Sequence, residues 1–335
     1  MAVGLRRSSS LHSVSMSGMP RPIVIDVDTG TDDALAILYA LRHPNLDVLG
    51  ITCVTGNVTA DQAVINTCKV LDAAGAADIP VAAGARQPLI ERARRAGGSH
   101  GVDGLGGIDL PETSRQRSPL HAVELLHQLI TDSTERVSLV TLGPKTNVAL
   151  LLTRYPDVAT RLEQIIFMGG SVSEGGLTEA AEFNVWQDPE AAKCVIESSI
   201  PVTMYGFHLF HRLGLSQVDT KRLRTHDHPA IRLAGELLYQ RRASSQDPAQ
   251  DYADLLGDAG AMVLLTNPEF FVTQQLPVRV NLDGIGRGQT TVKPRSGPRG
   301  GFGRVYPWPT ITVALDLDVA QAASAFVKVI DSYAA

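Results

Sequence analysis

Short runs of β-branched residues alternate with helix-length segments along most of this chain. Ile23-Val24-Ile25 is the first such run. Its unbroken apolar character predicts a strand buried on both faces, as in a parallel sheet. Ala34 to Leu41 reads as the helix that follows. Val48 to Cys53 reads as a second strand, ending in Thr55-Gly56-Asn57, with a helix over about Ala60 to Ala74. The pattern recurs at Val137 to Leu142, followed by Gly143-Pro144 and a helix near Asn147. Ile165 to Met168 is a further strand, closed by Gly169-Gly170, and Pro201 to Tyr205 is another. This alternation predicts the α/β class: an open, mostly parallel sheet flanked by helices.

The last third departs from that rhythm. Val278 to Leu282 and Thr310 to Leu315 read as strands, giving a small C-terminal β addition. Gly284 to Arg304 reads as a loop or hairpin, and the chain closes with a helix over about Val319 to Ser332. Two stretches read as mobile loops: Arg92 to Gly107, with six glycines, and the polar segment Arg241 to Gln250. Neither an internal repeat nor an interdomain linker is visible. The expected organisation is a disordered tail over residues 1–20, rich in Ser and Arg, and a single domain over residues 21–335.

Composition narrows the function classes. A net charge of −5 over 335 residues offers no strong field for nucleic acid or an anionic membrane. No apolar run is long and clean enough to span a bilayer or to serve as a secretory signal. Cys53, Cys68 and Cys194 are scattered and odd in number, which fits a reducing cytoplasm better than a disulfide framework.

The chemistry concentrates in Asp26-Val-Asp28-Thr-Gly-Thr-Asp32-Asp33, where four carboxylates fall within eight residues just after the first strand. Ligands of open α/β sheets bind outside the carboxyl ends of the strands. A helix N-cap accounts for one or two acids there, not four. Like charges this close raise one another's pKa unless a cation neutralises them, and an all-oxygen ligand set suits Ca²⁺ or Mg²⁺ rather than zinc. A phosphotransferase of the haloacid dehalogenase type also begins with a strand and Asp-x-Asp, with Asp26 as nucleophile and Asp28 as general acid. That pattern fails at Gly30, where it needs Thr or Val. It fails again after Gly257-Asp258, where Met262 stands in place of the last acid.

The run Asp26 to Ala34 closely resembles the N-terminal signature of the inosine–uridine-preferring nucleoside hydrolases. Val54-Thr-Gly-Asn57, Gly143-Pro-Lys-Thr-Asn147, Phe167-Met-Gly-Gly170, Ala181-Glu-Phe-Asn184 and Asp188-Pro-Glu-Ala-Ala192 are similar to further blocks of that family, in family order. The resemblance implies a Rossmann-like nucleoside hydrolase fold and cleavage of the N-glycosidic bond of ribonucleosides. It implies a Ca²⁺ held by Asp28, Asp33, the backbone carbonyl of Leu142 and Asp258. The ribose would be gripped by Asp32, Asn57, Met168, Glu182, Asn184 and Asp258. Asp28 would be general base on a cation-activated water, with an oxocarbenium-like sugar in the transition state. A homodimer or homotetramer is implied as well.

Two departures mark this chain. The His that precedes the C-terminal metal-binding Asp in well-studied members is Gly257 here, so the acid that protonates the leaving base must come from elsewhere. An Asn that contacts the ribose 5′-hydroxyl is replaced by Gly176, with Thr178 as a substitute. His100 and Tyr239 are the candidates for the missing acid, with Tyr252, in the segment before Asp258, a third. His208 and His211 read better as structural histidines near the sheet edge. The base is left open between purine and pyrimidine. A non-catalytic nucleoside- or ribose-binding protein that kept the cage and lost turnover is the remaining alternative.

Overall fold

The computed structural model describes residues 19–94, 99–243, 254–293 and 308–335. Most of the expected tail, residue Tyr252 and most of the polar segment after Arg241 lie outside the described residues. The first half of the fold alternates strand and helix: β1 (Arg21–Val27), α1 (Thr31–Arg42), β2 (Leu46–Cys53), α2 (Ala60–Ala73), β3 (Val81–Ala83), α3 (Ala122–Asp132), β4 (Val137–Thr141), α4 (Thr146–Arg154) and β5 (Leu162–Met168). Then come α5 (Phe183–Gln187), α6 (Pro189–Ile196), β6 (Val202–Tyr205), α7 (Phe207–Phe210), β7 (Gly214–Leu215), α8 (Gln217–Arg224) and α9 (Pro229–Ala243). The chain finishes with β8 (Asp254–Leu255), α10 (Ala259–Thr266), β9 (Phe271–Val280), β10 (Thr290–Val292), β11 (Thr310–Leu317) and α11 (Val319–Asp331).

Nine strands form one sheet in the order β10-β9-β11-β6-β5-β4-β1-β2-β3. From β11 to β3 neighbouring strands run parallel, while β9 pairs antiparallel with both β10 and β11. The expected C-terminal addition is therefore an antiparallel edge on a parallel sheet. The expected strand at 278–282 begins earlier than its sequence pattern suggested: β9 starts at Phe271, and its first half, paired with β11 alone, is mostly partly buried or exposed and shows no clean two-residue alternation. β3 was not anticipated, and three residues are too few to show a period.

Helices cover both faces. Ile23, Ile25 and Val27 of β1 join one apolar cluster with α1, α9, α10 and α11; Val24 joins the other with α3, α4 and α6. That split follows the two-residue repeat of a strand. Asp26 falls on the Val24 side, and α4 meets it there. Asn147 donates to Asp26 Oδ1 at 2.7 Å and to the Cys53 carbonyl at 3.2 Å, while its own Oδ1 accepts from Ala85 N at 2.8 Å. Thr52 also donates to Asp26, at 2.6 Å. One buried amide thus ties β1, β2 and the turn after β3 to α4. β1 lies between β2 and β4, where the direction of strand addition reverses. This is the switch point at which open α/β sheets bind ligands.

Asn147→Ala leaves a buried carboxylate oxygen, a carbonyl and an N–H without this partner. Destabilisation by about 2–5 kcal/mol is expected from the loss of several buried hydrogen bonds. Urea unfolding measures it, and a midpoint within error of wild type would show that the amide does not join the strands.

Candidate active site

The turn after β1 delivers its acids in two directions. Asp28 leaves the end of the strand, and Asp32 and Asp33 sit in the first turn of α1. Gly30 N donates to Asp33 Oδ2 at 2.8 Å, which locks the helix start. Asn57, from the turn after β2, donates its backbone N–H to Asp28 Oδ2 at 2.6 Å and its side-chain amide to Asp33 Oδ2 at 3.3 Å. Gly56 and Gly143 close over Asp28 so tightly that a β-carbon at either would meet its carboxylate within 2.7 Å. The motif glycines after β2 and β4 therefore make room for this acid.

Asp258, just before α10, completes the group. Carboxylate oxygens of Asp32, Asp33 and Asp258 all lie within 4.8 Å of one another, and all three residues are buried. Asp28 Oδ1 and Asp33 Oδ1 are buried without a hydrogen-bond partner. The Leu142 carbonyl, at the end of β4, accepts from Asn184 Nδ2 at 2.6 Å and keeps a second lone pair. Burial, then the neighbouring charge of Asp33, pushes the Asp28 carboxyl well above its usual range. Burial, then Asp32, pushes Asp33 up to about 7. Orphaned hard oxygens in a dry acidic cluster fit a hard divalent cation. The closest carboxylate group contains Asp32 where the sequence pattern placed Asp28, so Asp28 meets the cluster from its edge.

Asp26 is set apart from these acids. It is held by Thr52 and Asn147, and burial raises it to about 6 against those hydrogen bonds. It ties strands together and does not face the pocket, which removes the nucleophile from the phosphotransferase reading.

Above the acids opens a pocket whose lining includes Asp32, Asn57, Met168, Glu182, Asn184, Asp258 and His100. Glu182 caps α5: its carboxylate accepts from Gly170 N at 2.9 Å, Asn184 N at 2.8 Å and Val185 N at 3.1 Å. Burial still raises its pKa, with the Lys145 charge opposing. Lys145 lies fully buried beneath the site and donates to the carbonyls of Gly143, at 2.6 Å, and Met168. Its pKa falls to about 8 through burial, against the pull of Glu182, Asp28 and Asp258. In the sequence Lys145 stands out only as part of a motif. A lone lysine in a β–α turn gives no sign that it will be buried under an acidic site.

The candidates for the missing acid separate clearly. His100 is brought to the pocket, with its Nδ1 3.2 Å from Thr31 N, 3.0 Å from the Thr31 hydroxyl and 3.6 Å from Asp32 Oδ1. Tyr239 is not. Its ring lies on α9 under the Arg224 guanidinium, 3.6 Å from the ring centroid, and it is absent from the pocket lining. Helical rotation turns it toward α8 instead. His208 is structural as expected, with Nε2 bonded to the Ala314 carbonyl at 2.8 Å. His211 departs from expectation and lines the pocket beside Phe207 and Phe210. Thr178, the expected substitute for the missing 5′ contact, is absent from the lining of this pocket, and its hydroxyl accepts from Ala180 N and Ala181 N within its own loop. Gly257 has φ +56, and a β-carbon there would stand 2.6 Å from Asp32. This chain has no space for the histidine found at that position in the resembling family.

A buried acid cluster at the switch point of an α/β sheet, under a pocket rimmed by amides and a histidine, is suited to hold a hydroxyl-bearing small molecule beside a cation. The sequence profile described as inosine-uridine preferring nucleoside hydrolase matches residues 23–324. The chain is 39% identical over 267 residues to a pyrimidine-specific ribonucleoside hydrolase, RihA, of Photobacterium profundum, covering 79% of this chain and 86% of that protein. Among solved structures, the plant nucleoside hydrolase PpNRh1 superposes with a TM-score of 0.85 at 30% identity, covering 93% of this chain and 99% of that one. The purine-preferring ribonucleoside hydrolase from Gardnerella vaginalis also gives 0.85, at 26% identity, covering 94% and 99%. The chain belongs to the inosine-uridine preferring nucleoside hydrolase family, and its activity is hydrolysis of the N-glycosidic bond of ribonucleosides. Among the described residues, no helix is long and apolar enough to cross a membrane.

The charge balance of the cluster is open to measurement. Asp26 and Asp33, at about 6 and 7 when folded against an ordinary 3.8, hold more protons folded than unfolded between those values. Stability of the cation-free protein therefore falls as pH rises through this window. A divalent cation takes over from the protons, so its saturating gain in melting temperature is larger at pH 7.5 than at pH 5.5. Equal gains at both would break the charge argument. Gly257→Ala drives a β-carbon into Asp32 from a left-handed backbone, and a loss of tenfold or more in cation affinity by calorimetry is expected; wild-type affinity would show that the contact relaxes.

Proposed function

We propose that this enzyme is a Ca²⁺-dependent hydrolase of pyrimidine ribonucleosides. The observation that carries the cation is the pair of buried, unpartnered oxygens on Asp28 and Asp33 beside the Asp32–Asp33–Asp258 cluster. Asp28, Asp33, Asp258 and the Leu142 carbonyl are the residues that would hold it. When bound, Ca²⁺ supplies positive charge that lowers the pKa of a water and engages the ribose diol. Asp28, whose carboxyl is already raised by burial, accepts the proton of the attacking water. The water oxygen bonds to C1′ as the bond from C1′ to the base nitrogen breaks. Asp32, Asn57, Met168, Glu182, Asn184 and Asp258 orient the ribose. The tethered carboxylate of Glu182 lies where positive charge builds on the sugar.

His100 is the donor to the leaving base in this reading, acting as the imidazolium: the Thr31 hydroxyl at 3.0 Å can accept its Nδ1–H, Asp32 Oδ1 at 3.6 Å favours the charged ring, and Nε2 gives its proton to the base to leave neutral imidazole. The pyrimidine preference is supported by the pyrimidine-specific RihA relatives, which reach 40% identity, above the 26% of the purine-preferring neighbour. A cytoplasmic homodimer or homotetramer belongs to the same reading.

The test is release of reducing sugar from uridine, cytidine, inosine and adenosine with Ca²⁺, using wild type, Asp28→Ala and His100→Ala. Turnover is expected to favour the pyrimidines, and Asp28→Ala to lose about 10²–10⁴-fold in kcat. Equal turnover by Asp28→Ala would refute the general base. Tight nucleoside binding without any ribose release would favour the non-catalytic alternative.

A further inference from the structure

The pocket has an end that the proposed reaction leaves unused. At one end His100 is fastened to Thr31, directly after β1. At the other stand Phe207 and Phe210, in the helical turn after β6, and Leu177 from the loop after β5. β4 and β5 lie between β1 and β6. Three strand spacings of about 4.8 Å, on the order of 14 Å in all, separate the strands β1 and β6 that carry the two ends. The base and C5′ leave the ribose ring on either side of its ring oxygen. A nucleoside laid along the strand ends therefore has its base at one end and C5′ at the other. On the reading above, which this inference rests on, His100 marks the base end, and the Phe207 end faces C5′.

That end is built from aromatic and aliphatic surface. The rings of Phe207 and Phe210 stack with centroids 5.7 Å apart, and His211 stands edge-on to Phe207 at 4.2 Å. Gly176 has φ +100, and a β-carbon there would lie 2.3 Å from a Phe207 ring carbon. The phenyl ring fills the volume that any side chain at 176 would need. Leu177, next in the chain, is 43% exposed and lines the pocket. Thr178 does not line this pocket, and its hydroxyl oxygen accepts from Ala180 N and Ala181 N in its own loop. A 5′-hydroxyl set against this wall loses water to apolar surface, whereas hydrogen or an alkylthio group there buries apolar area on the rings.

We propose that this enzyme selects ribonucleosides whose 5′ carbon carries no hydroxyl, a 5′-deoxy or 5′-alkylthio nucleoside, with Phe207 as the specificity-determining residue. The experiment compares kcat/KM for uridine and inosine with their 5′-deoxy counterparts, in wild type and Phe207→Ala. Wild type is expected to favour the 5′-deoxy member of each pair by tenfold or more, mainly through KM. Phe207→Ala should bring that ratio close to one. If Phe207→Ala does not fold, the wild-type ratio decides alone. A wild-type preference for the 5′-hydroxyl overturns the proposal and makes His211 its hydrogen-bond partner. So does a Phe207→Ala variant that shifts the uridine-to-inosine ratio and leaves the 5′ ratio unchanged, since the wall would then face the base. If none of the four is cleaved, the hydrolase reading has failed, and calorimetric binding of the same four to the Ca²⁺-loaded protein still reads the 5′ preference in the same two directions.

Discussion

Mutual repulsion among carboxylates in a dry space governs this structure. Asp28, Asp32, Asp33 and Asp258 are almost wholly removed from solvent, and the first three come from a single turn. Burial costs each charge its hydration, and each neighbour adds repulsion. The fold answers in two ways. It supplies N–H donors from Gly30 and Asn57, and it leaves Asp28 Oδ1 and Asp33 Oδ1 bare. The donors fix the acids in place, and the bare oxygens leave a coordination shell for a cation to complete.

The scaffold around the acids is stiffened by two buried polar residues of one turn. Asn147 joins β1, β2 and the turn after β3 through Asp26, the Cys53 carbonyl and Ala85 N. Lys145 joins the ends of β4 and β5 through the carbonyls of Gly143 and Met168, and its charge offsets part of the acidic field. Each staples strand ends that carry site residues. The acid side of the pocket is tightly packed: a β-carbon at Gly56 or Gly143 would meet the Asp28 carboxylate, and one at Gly257 would meet Asp32.

The other side of the pocket is where this chain differs from the family pattern. The glycine at 257 is enforced by Asp32, and the glycine at 176 is enforced by Phe207. On the proposed reading, one of these positions lies toward the base and the other toward C5′. The floor between them carries the amides of Asn57 and Asn184 and the acids Asp32, Glu182 and Asp258. Keeping the floor and changing the two ends is how one hydrolytic site can be turned to a different nucleoside, since specificity depends on differences at the parts of the substrate that vary.

The sequence by itself determined the parallel α/β frame and the acid turn. Strands buried on both faces must be continuously apolar, so Ile23 to Ile25 and Ile165 to Met168 announce themselves. Asp28, Asp32 and Asp33 fall within six residues across one strand-to-helix turn, which keeps them near one another, while Asp26 inside the strand is held apart by Thr52 and Asn147. Family blocks then located Asn57, Glu182, Asn184 and Asp258. What only the tertiary structure decided are matters of direction and of contact between distant segments. Tyr239 and His211 both lie beside elements near the site, and periodicity could not say that the first turns under Arg224 while the second faces the pocket. Nothing local in Lys145 or Gly176 reveals burial under the acids or collision with the distant Phe207 ring. A repeat of polar and apolar residues records which face of an element is covered. It does not record which side chain does the covering, because that depends on how the loops after β5 and β6 cross in space.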